Sequence, residues 1–191
     1  MKQLLKFLSY FLPFMNQSWG QKIWVLKADA AAVSGISETV LVPDIPIMND
    51  LMEYGHMLIG KLRCKITTDA SAGNIQVRVR WNGVAGVLIM SSANIALANS
   101  LTNYVLELDF EIRVTAEGAT GTLLGFGTLQ GSILTTNAPN FMTVNPTGVS
   151  APAPSASLDL TGSKNLSITA QMDNTGNTNL IAMEGYLISL N

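Results

Sequence analysis

Tyr104-Val-Leu-Glu-Leu-Asp-Phe-Glu-Ile-Arg-Val114 is the longest strictly alternating run in the chain. Tyr104, Leu106, Leu108, Phe110, Ile112 and Val114 fall on one side; Glu107, Asp109, Glu111 and Arg113 fall on the other. A period of two is the mark of a strand with one face buried and one face wet. Upstream, Leu58 to Ile66 repeats it, with Leu58, Gly60, Leu62, Cys64 and Ile66 opposite Lys61, Arg63 and Lys65. Ile75 to Trp81 does the same, with Ile75, Val77, Val79 and Trp81 inward and Arg78 and Arg80 outward. Asn82-Gly83 follows at once and Val84 to Met90 is apolar again. Asn-Gly between two such runs predicts a hairpin, because both central residues of a type I′ turn need positive φ.

Nearer the N-terminus, Ile36 to Val42 reads as a strand closed by Pro43. Pro46 opens a segment, Ile47 to Tyr54, expected to form a helical turn or two and to end at Gly55. Downstream, Gly118 to Gly121 turns the chain and Thr122 to Leu134 resumes it. Gly125, Gly127 and Gly131 within that run predict bulges or close backbone approach. Asn137 to Ser157 is rich in Pro, Asn, Ser and Ala without periodicity, and reads as a long contact loop. Leu158 to Leu160 is a short pairing segment, and Asn165 to Met172 and Leu180 to Leu190 are two closing strands. Many strands without intervening helices pair antiparallel. The expected fold is all-β: an antiparallel two-sheet jelly-roll sandwich over residues 33–191, preceded by an N-terminal anchoring arm over residues 1–32. An immunoglobulin-like sandwich is about half this size and carries a Cys…Trp…Cys spacing that this chain lacks.

The arm begins MKQLLKFLSYFLPFM. Its apolar run is too short to cross a bilayer, which takes about 20 residues. A signal peptide is the alternative reading, but no small-x-small cleavage site follows at the usual distance. Leu4, Leu5, Leu8, Phe11 and Leu12 recur at helical spacing up to Pro13. So apolar a segment is too small to bury itself, and it calls for a partner.

Composition limits function. Of 191 residues 48% are hydrophobic and 13% charged, against a usual ~25% charged, and the net charge is −2. No basic excess marks a phosphate-contacting nucleic-acid binder. A neutral polar surface suits a protein packed against copies of itself, since charge is depleted at interface cores. The charges that exist are ordered: Lys61, Arg63, Lys65, Arg78 and Arg80 lie on two strands, and Glu107, Asp109 and Glu111 on a third. They read either as a charge-matched sheet face or as a subunit interface in which a basic face meets an acidic strand.

Candidate chemistry is thin. His56 is the single histidine and Glu53 its nearest acid; a turn histidine is the plainer reading. Cys64, the single cysteine, sits on an apolar face and reads as buried and inert. Gly118-Ala-Thr-Gly121 and Gly125-Phe-Gly127 lack the lysine and helix of a phosphate loop. Asp173 to Asn177 lacks the closing glutamate of a calcium loop and reads as a polar turn. Asn16-Gln-Ser18 and Asn165-Leu-Ser167 match the glycosylation triplet, which matters only for a secreted chain. Trp19, Trp24, Trp81 and the tyrosines could stack on sugars, although Trp81 falls on the core face. The expectation is of no enzyme, no catalytic residue, no metal site and no cofactor.

Ser34-Gly-Ile-Ser-Glu-Thr-Val-Leu with Ile45-Pro46, then Tyr54-Gly55, then Val77-Arg-Val-Arg-Trp-Asn-Gly83, and finally Leu166-Ser-Ile-Thr-Ala-Gln171 with Asn179-Leu-Ile-Ala-Met-Glu-Gly-Tyr-Leu-Ile188 occur in that order. Over residues 33–191 this order resembles the small jelly-roll virion structural proteins of tailed bacteriophages. The resemblance implies a virion location and a role as capsid decoration, cement, head-fibre or tail-fibre module, often trimeric. The arm departs from the usual pattern. The expected function is therefore a viral structural protein that forms a homo-oligomer, a trimer first. Leu4, Leu5, Phe7, Leu8, Phe11 and Leu12 would anchor it, and its partners would be its own copies and other virion proteins such as the major capsid protein. Neither nucleic acid nor membrane is an expected partner. The alternatives are a receptor- or glycan-binding knob, using residues such as Tyr104, Asn140 and Phe141, and a secreted β-sandwich module.

Overall fold

A computed structural model of the chain describes residues 21–48, 51–131, 140–143, 153–174 and 178–190. The elements among them are strands: β1 (Gln21–Leu26), β2 (Thr39–Val40), β3 (Ile45–Ile47), β4 (Met57–Thr67), β5 (Asn74–Trp81), β6 (Val87–Ser91), β7 (Ile95–Ala96), β8 (Tyr104–Ala116), β9 (Thr122–Gln130), β10 (Asn140–Thr143), β11 (Lys164–Met172) and β12 (Asn179–Leu190). The anchoring residues Leu4 to Leu12 lie outside the described residues, as does Asn16-Gln-Ser18.

All pairings are antiparallel, and their order is that of a jelly roll. β1 pairs with β12, β12 with β4, β4 with β8 and β8 with β9, giving one sheet. β2 and β3 pair with β11, β11 with β5 and β5 with β6, giving the other. Early strands thus pair with late ones and middle strands with each other, as when a long hairpin is rolled into two layers. β10 joins the layers at one side, pairing with β9 along its length and with β6 at Thr143↔Ser91.

The alternation foreseen in β4, β5 and β8 is what buries the core. Leu58, Leu62, Cys64 and Ile66 of β4 and Leu106, Leu108, Phe110, Ile112 and Val114 of β8 face Ile75, Val77, Val79 and Trp81 of β5, with Leu166 and Ile168 of β11 and Ile89 and Met90 of β6. Fully burying each such side chain contributes roughly 1.5–3 kcal/mol.

Several elements differ from the sequence reading. β1 is the outer strand of the first sheet, so residues 21–26, grouped with the arm, are part of the sandwich. Ala30 N–H and Val33 N–H continue the contact by donating to the carbonyls of Ala182 and Leu180, both at 2.8 Å. The strand expected over Ile36–Val42 shrinks to Thr39–Val40. Pro46, expected to start a helical segment, lies within β3 opposite Asn165. A proline fits there because β3 needs ladder bonds on one side only. Asn82 and Gly83 have φ of +70° and +91°, as the turn requires, but β6 begins only at Val87, so the loop is longer than two residues. The expected loop Asn137–Ser157 contains β10, and Ser155 is tied to β9 by its N–H on Leu123 O at 2.7 Å. Leu158 forms an isolated bridge with Gly121. Gly127 of β9 marks a close approach: a Cβ there would lie 2.9 Å from Asp109 O.

Candidate functional site

The register of the first sheet sets its outer face out in rows. Leu190, Met57, Arg113 and Leu124 form one row at the end where β1 begins; Lys22, Ile188, Ile59, Glu111 and Phe126 form the next. Val25, Tyr186, Lys61, Asp109 and Thr128 follow, then Glu184, Arg63, Glu107 and Gln130. The face therefore mixes apolar residues with Arg113, Glu111 and Lys22 at one end and is charged across its middle.

In the charged middle, Glu107 stands between two cations of β4. Arg63 Nε donates to its Oε1 at 2.8 Å and Lys61 Nζ to its Oε2 at 3.2 Å. Lys61 also lies 3.4 Å from Asp109, and Arg63 Nη1 lies 2.5 Å from Glu184 on β12. Lys65 pairs with Asp29. The hydrogen bonds from Arg63 and then Lys61 hold the Glu107 carboxyl below its ordinary value, and those same bonds raise both cations. Arg113 pairs with Glu111 on its own strand.

Arg78 and Arg80 are on the other sheet and do not join this cluster. Both grip Glu38, which precedes β2: Arg80 Nε at 2.6 Å and Arg78 Nη1 at 2.9 Å. Thr169 Oγ1 donates to the same carboxylate, and Arg78 also donates to Gln171 at 2.9 Å. Burial pushes the Glu38 carboxyl up, but the hydrogen bonds from Arg80 and Thr169 and the two positive charges together outweigh it, leaving the group below its usual range. Sequence reading missed Glu38 because it lies 40 residues from Arg78. Its place in the alternating Ile36–Val42 run was the one available signal.

The eight charged residues named for a subunit interface thus do not share one face: Lys61, Arg63, Glu107 and Asp109 cluster, Lys65 pairs with Asp29 and Glu111 with Arg113, and Arg78 and Arg80 meet Glu38 on the other sheet. A concave site of about 720 Å³ opens beside the first group, lined by Lys22, Val25, Lys61, Arg63, Glu184 and Tyr186 among others. Bulges where β1 passes Ile23 and β12 passes Met183 shape its walls. Tyr186 is 38% exposed there.

The remaining candidates are placed plainly. His56 Nε2 lies 3.7 Å from exposed Glu53, in the turn before β4. Cys64 is buried, and desolvation pushes its thiol up to about 12. The Asp173 carboxylate accepts from Asn74 N–H at 2.6 Å and from the Asn74 side chain, fastening the turn after β11 to β5. Ser167 of the second glycosylation triplet is buried and donates to Asp44 at 2.6 Å. Trp81 is core, and Trp24 packs against the core beside Gly185. Tyr104 is exposed at the start of β8. Asn140 and Phe141 fall in β10. Among the described residues no group of three or more His, Cys, Asp or Glu is placed to hold a metal, and no helix is long and apolar enough to cross a membrane.

No protein-family model matches the chain, and no curated protein sequence matches it. Among solved structures the chain is similar to the CBM2 module of the evolved Dit of Lactobacillus casei BL23 phage J-1, with a TM-score of 0.38 and 6% identity over 91% of this chain and 97% of that one. It is similar also to infectious bursal disease virus, Gx strain (TM-score 0.23), and to the VP2 subviral particle of infectious bursal disease virus (TM-score 0.21). Both are 12% identical over 92% of this chain, which spans 41% of the length of each.

Proposed function

We propose that this chain is a non-enzymatic structural subunit of a virion, of the capsid decoration, cement or head-fibre kind. It assembles in several copies, as a trimer, and residues 1–15 attach it to its neighbours. The observation that carries the reading is the outer face of the first sheet. Lys61, Arg63, Glu107, Asp109 and Glu184 are paired among themselves within the chain, and Leu190, Met57, Ile188 and Ile59 lie side by side at its end, with the Arg113–Glu111 pair between them and Leu124 and Phe126. Such a face is suited to contact and offers no acid, base and nucleophile to a substrate. Burying the arm's six large apolar side chains at roughly 1.5–3 kcal/mol each is enough to offset the ordering of that segment.

The test is cosedimentation with particles of the virus that encodes the protein. The full chain is expected to travel with the particle. A chain lacking residues 1–15 is expected to keep its strand-rich circular dichroism spectrum and to stay in the supernatant. Equal incorporation of both chains would defeat the anchoring role.

A second reading is favoured by the site around Tyr186. An exposed ring flanked by Lys22, Lys61 and Glu184 in a space of about 720 Å³ suits a sugar in size and chemistry. Glycan-array binding lost on Tyr186→Ala, with Tyr104→Ala unchanged, would favour a receptor-binding knob instead.

A further inference from the structure

We propose that the hollow beside Tyr186, on the outer face of the first sheet, takes an acidic saccharide, a sugar ring carrying a negatively charged substituent. The inference rests on the second reading above, that this hollow holds a sugar, and names the kind of sugar.

The shape comes first. Tyr186 of β12 lies between its register partners, Val25 of β1 and Lys61 of β4. Tyr186 and Val25 are both among the exposed large apolar residues, so together they make a shelf open to solvent. An aromatic ring open on one side offers a packing surface to the C–H face of a sugar. Arg63, Glu184 and Lys61 line the same hollow with hydrogen-bonding atoms for hydroxyl groups. The register slips in β1 between Lys22 and Trp24 and in β12 between Ala182 and Glu184, and such bulges bend the strands that carry them. The resulting concavity, about 720 Å³, has the dimensions of a compact-ligand site. A protein partner covers a broader patch, about 800 Å² on each side.

Charge then separates an acidic sugar from a neutral one. Lys22, Lys27, Lys61 and Arg63 line the hollow, with Glu184 as the acid among them. Lys61 and Arg63 are already matched by Glu107, Asp109 and Glu184. Lys22 and Lys27 are exposed, and neither has an ion-pair partner among the described residues. Every other lysine and arginine among the described residues is paired with a carboxylate. The two unmatched cations thus border one hollow. Lys22 lies near the start of β1, opposite Ile188, and Lys27 lies just past its last residue, Leu26, with Val25 between them. In a chain of net charge −2, this is a local positive field. A neutral sugar would use the shelf and leave both ammonium groups idle. A bare anion would use the ammonium groups and leave the shelf idle. A sugar with a charged substituent engages both at once.

The experiment is a glycan array read with the full chain, in which saccharides bearing uronic acid, sialic acid or sugar phosphate are printed beside neutral counterparts of the same backbone. The expected result is binding to an acidic saccharide about tenfold or more above its neutral counterpart, weakened by added salt. A Lys22→Gln/Lys27→Gln chain should lose that binding about tenfold or more, and so should Tyr186→Ala. Lys164→Gln, which alters a lysine of the other sheet, should bind as the unaltered chain does. Circular dichroism checks that each variant is folded, and the exposed lysines keep the test open if Tyr186→Ala is not. Equal binding of acidic and neutral saccharides would overturn the proposal and leave the sugar reading standing. No binding of any saccharide would overturn both. An oligoglutamate peptide bound as tightly as any saccharide would overturn the proposal by making the occupant an acidic protein segment. Binding that survives a folded Tyr186→Ala would overturn it by reducing the site to a pair of lysines that hold any anion.

Discussion

The ring of Phe110 on β8 lies over Gly60 on β4, its register partner: a Cβ built on Gly60 would stand 2.1 Å from Phe110 Cζ. The glycine is there for space. Phe110 is almost wholly buried, so its ring has little room to yield.

Gly60→Ala is therefore expected to destabilise the fold by about 1–3 kcal/mol, the usual cost of overpacking. Phe110→Leu in the Gly60→Ala background should recover part of that loss. Urea denaturation of the four members of this double-mutant cycle measures the coupling, and strict additivity would contradict the contact.

How much of this was legible beforehand follows from where information sits in a chain. β4, β5 and β8 were readable because each is long and one-sided, so period two survives over many residues. The positive φ at Asn82 and Gly83 was readable because turn chemistry is local. β3, β7 and β10 were not, since two to four residues carry no period, and β2 was read within an overlong Ile36–Val42 strand. The pairing of Lys61 and Arg63 with Glu107 could be suspected as opposite charge on neighbouring strands. That Arg78 and Arg80 instead meet Glu38 depends on β2 lying against β11, which no local pattern encodes.

Glu38→Ala should leave two arginine side chains, each largely shielded from water, without their carboxylate. A loss of about 2–3 kcal/mol is expected, read as a lower urea midpoint with unchanged slope. Glu184→Ala removes a partner that is more than half exposed and should cost no more than about 1 kcal/mol. Equal effects would mean that the two charge groups are alike, contrary to their burial.

Acid should weaken the protein in a defined window. Glu38, Glu107 and Asp173 all titrate below their ordinary values in the folded state, and Asp159, hydrogen-bonded by Thr161 and Lys164, lies at about 2 against 3.8. For a depressed carboxyl the stabilisation is complete above the unfolded value, about 4, and disappears as pH falls through the folded one. Urea midpoints should hold steady down to about pH 5 and drop towards pH 2, less steeply in Glu38→Gln. A midpoint that rises on acidification would contradict the assignment.

Cys64, with its thiol raised to about 12 by burial, should be unreactive towards a disulfide reagent at pH 8 in the native protein and react at once in denaturant. Prompt labelling of the native chain would show β4 exposed.

Many copies joined through the arm are what the proposed function requires. The most direct measurement is light scattering on the purified full chain beside a chain without residues 1–15. The expected masses are about three times 20.4 kDa for the full chain and that of a single copy for the truncated one. A full chain that scatters as a single copy, or a truncation that leaves its mass multiple unchanged, would contradict it.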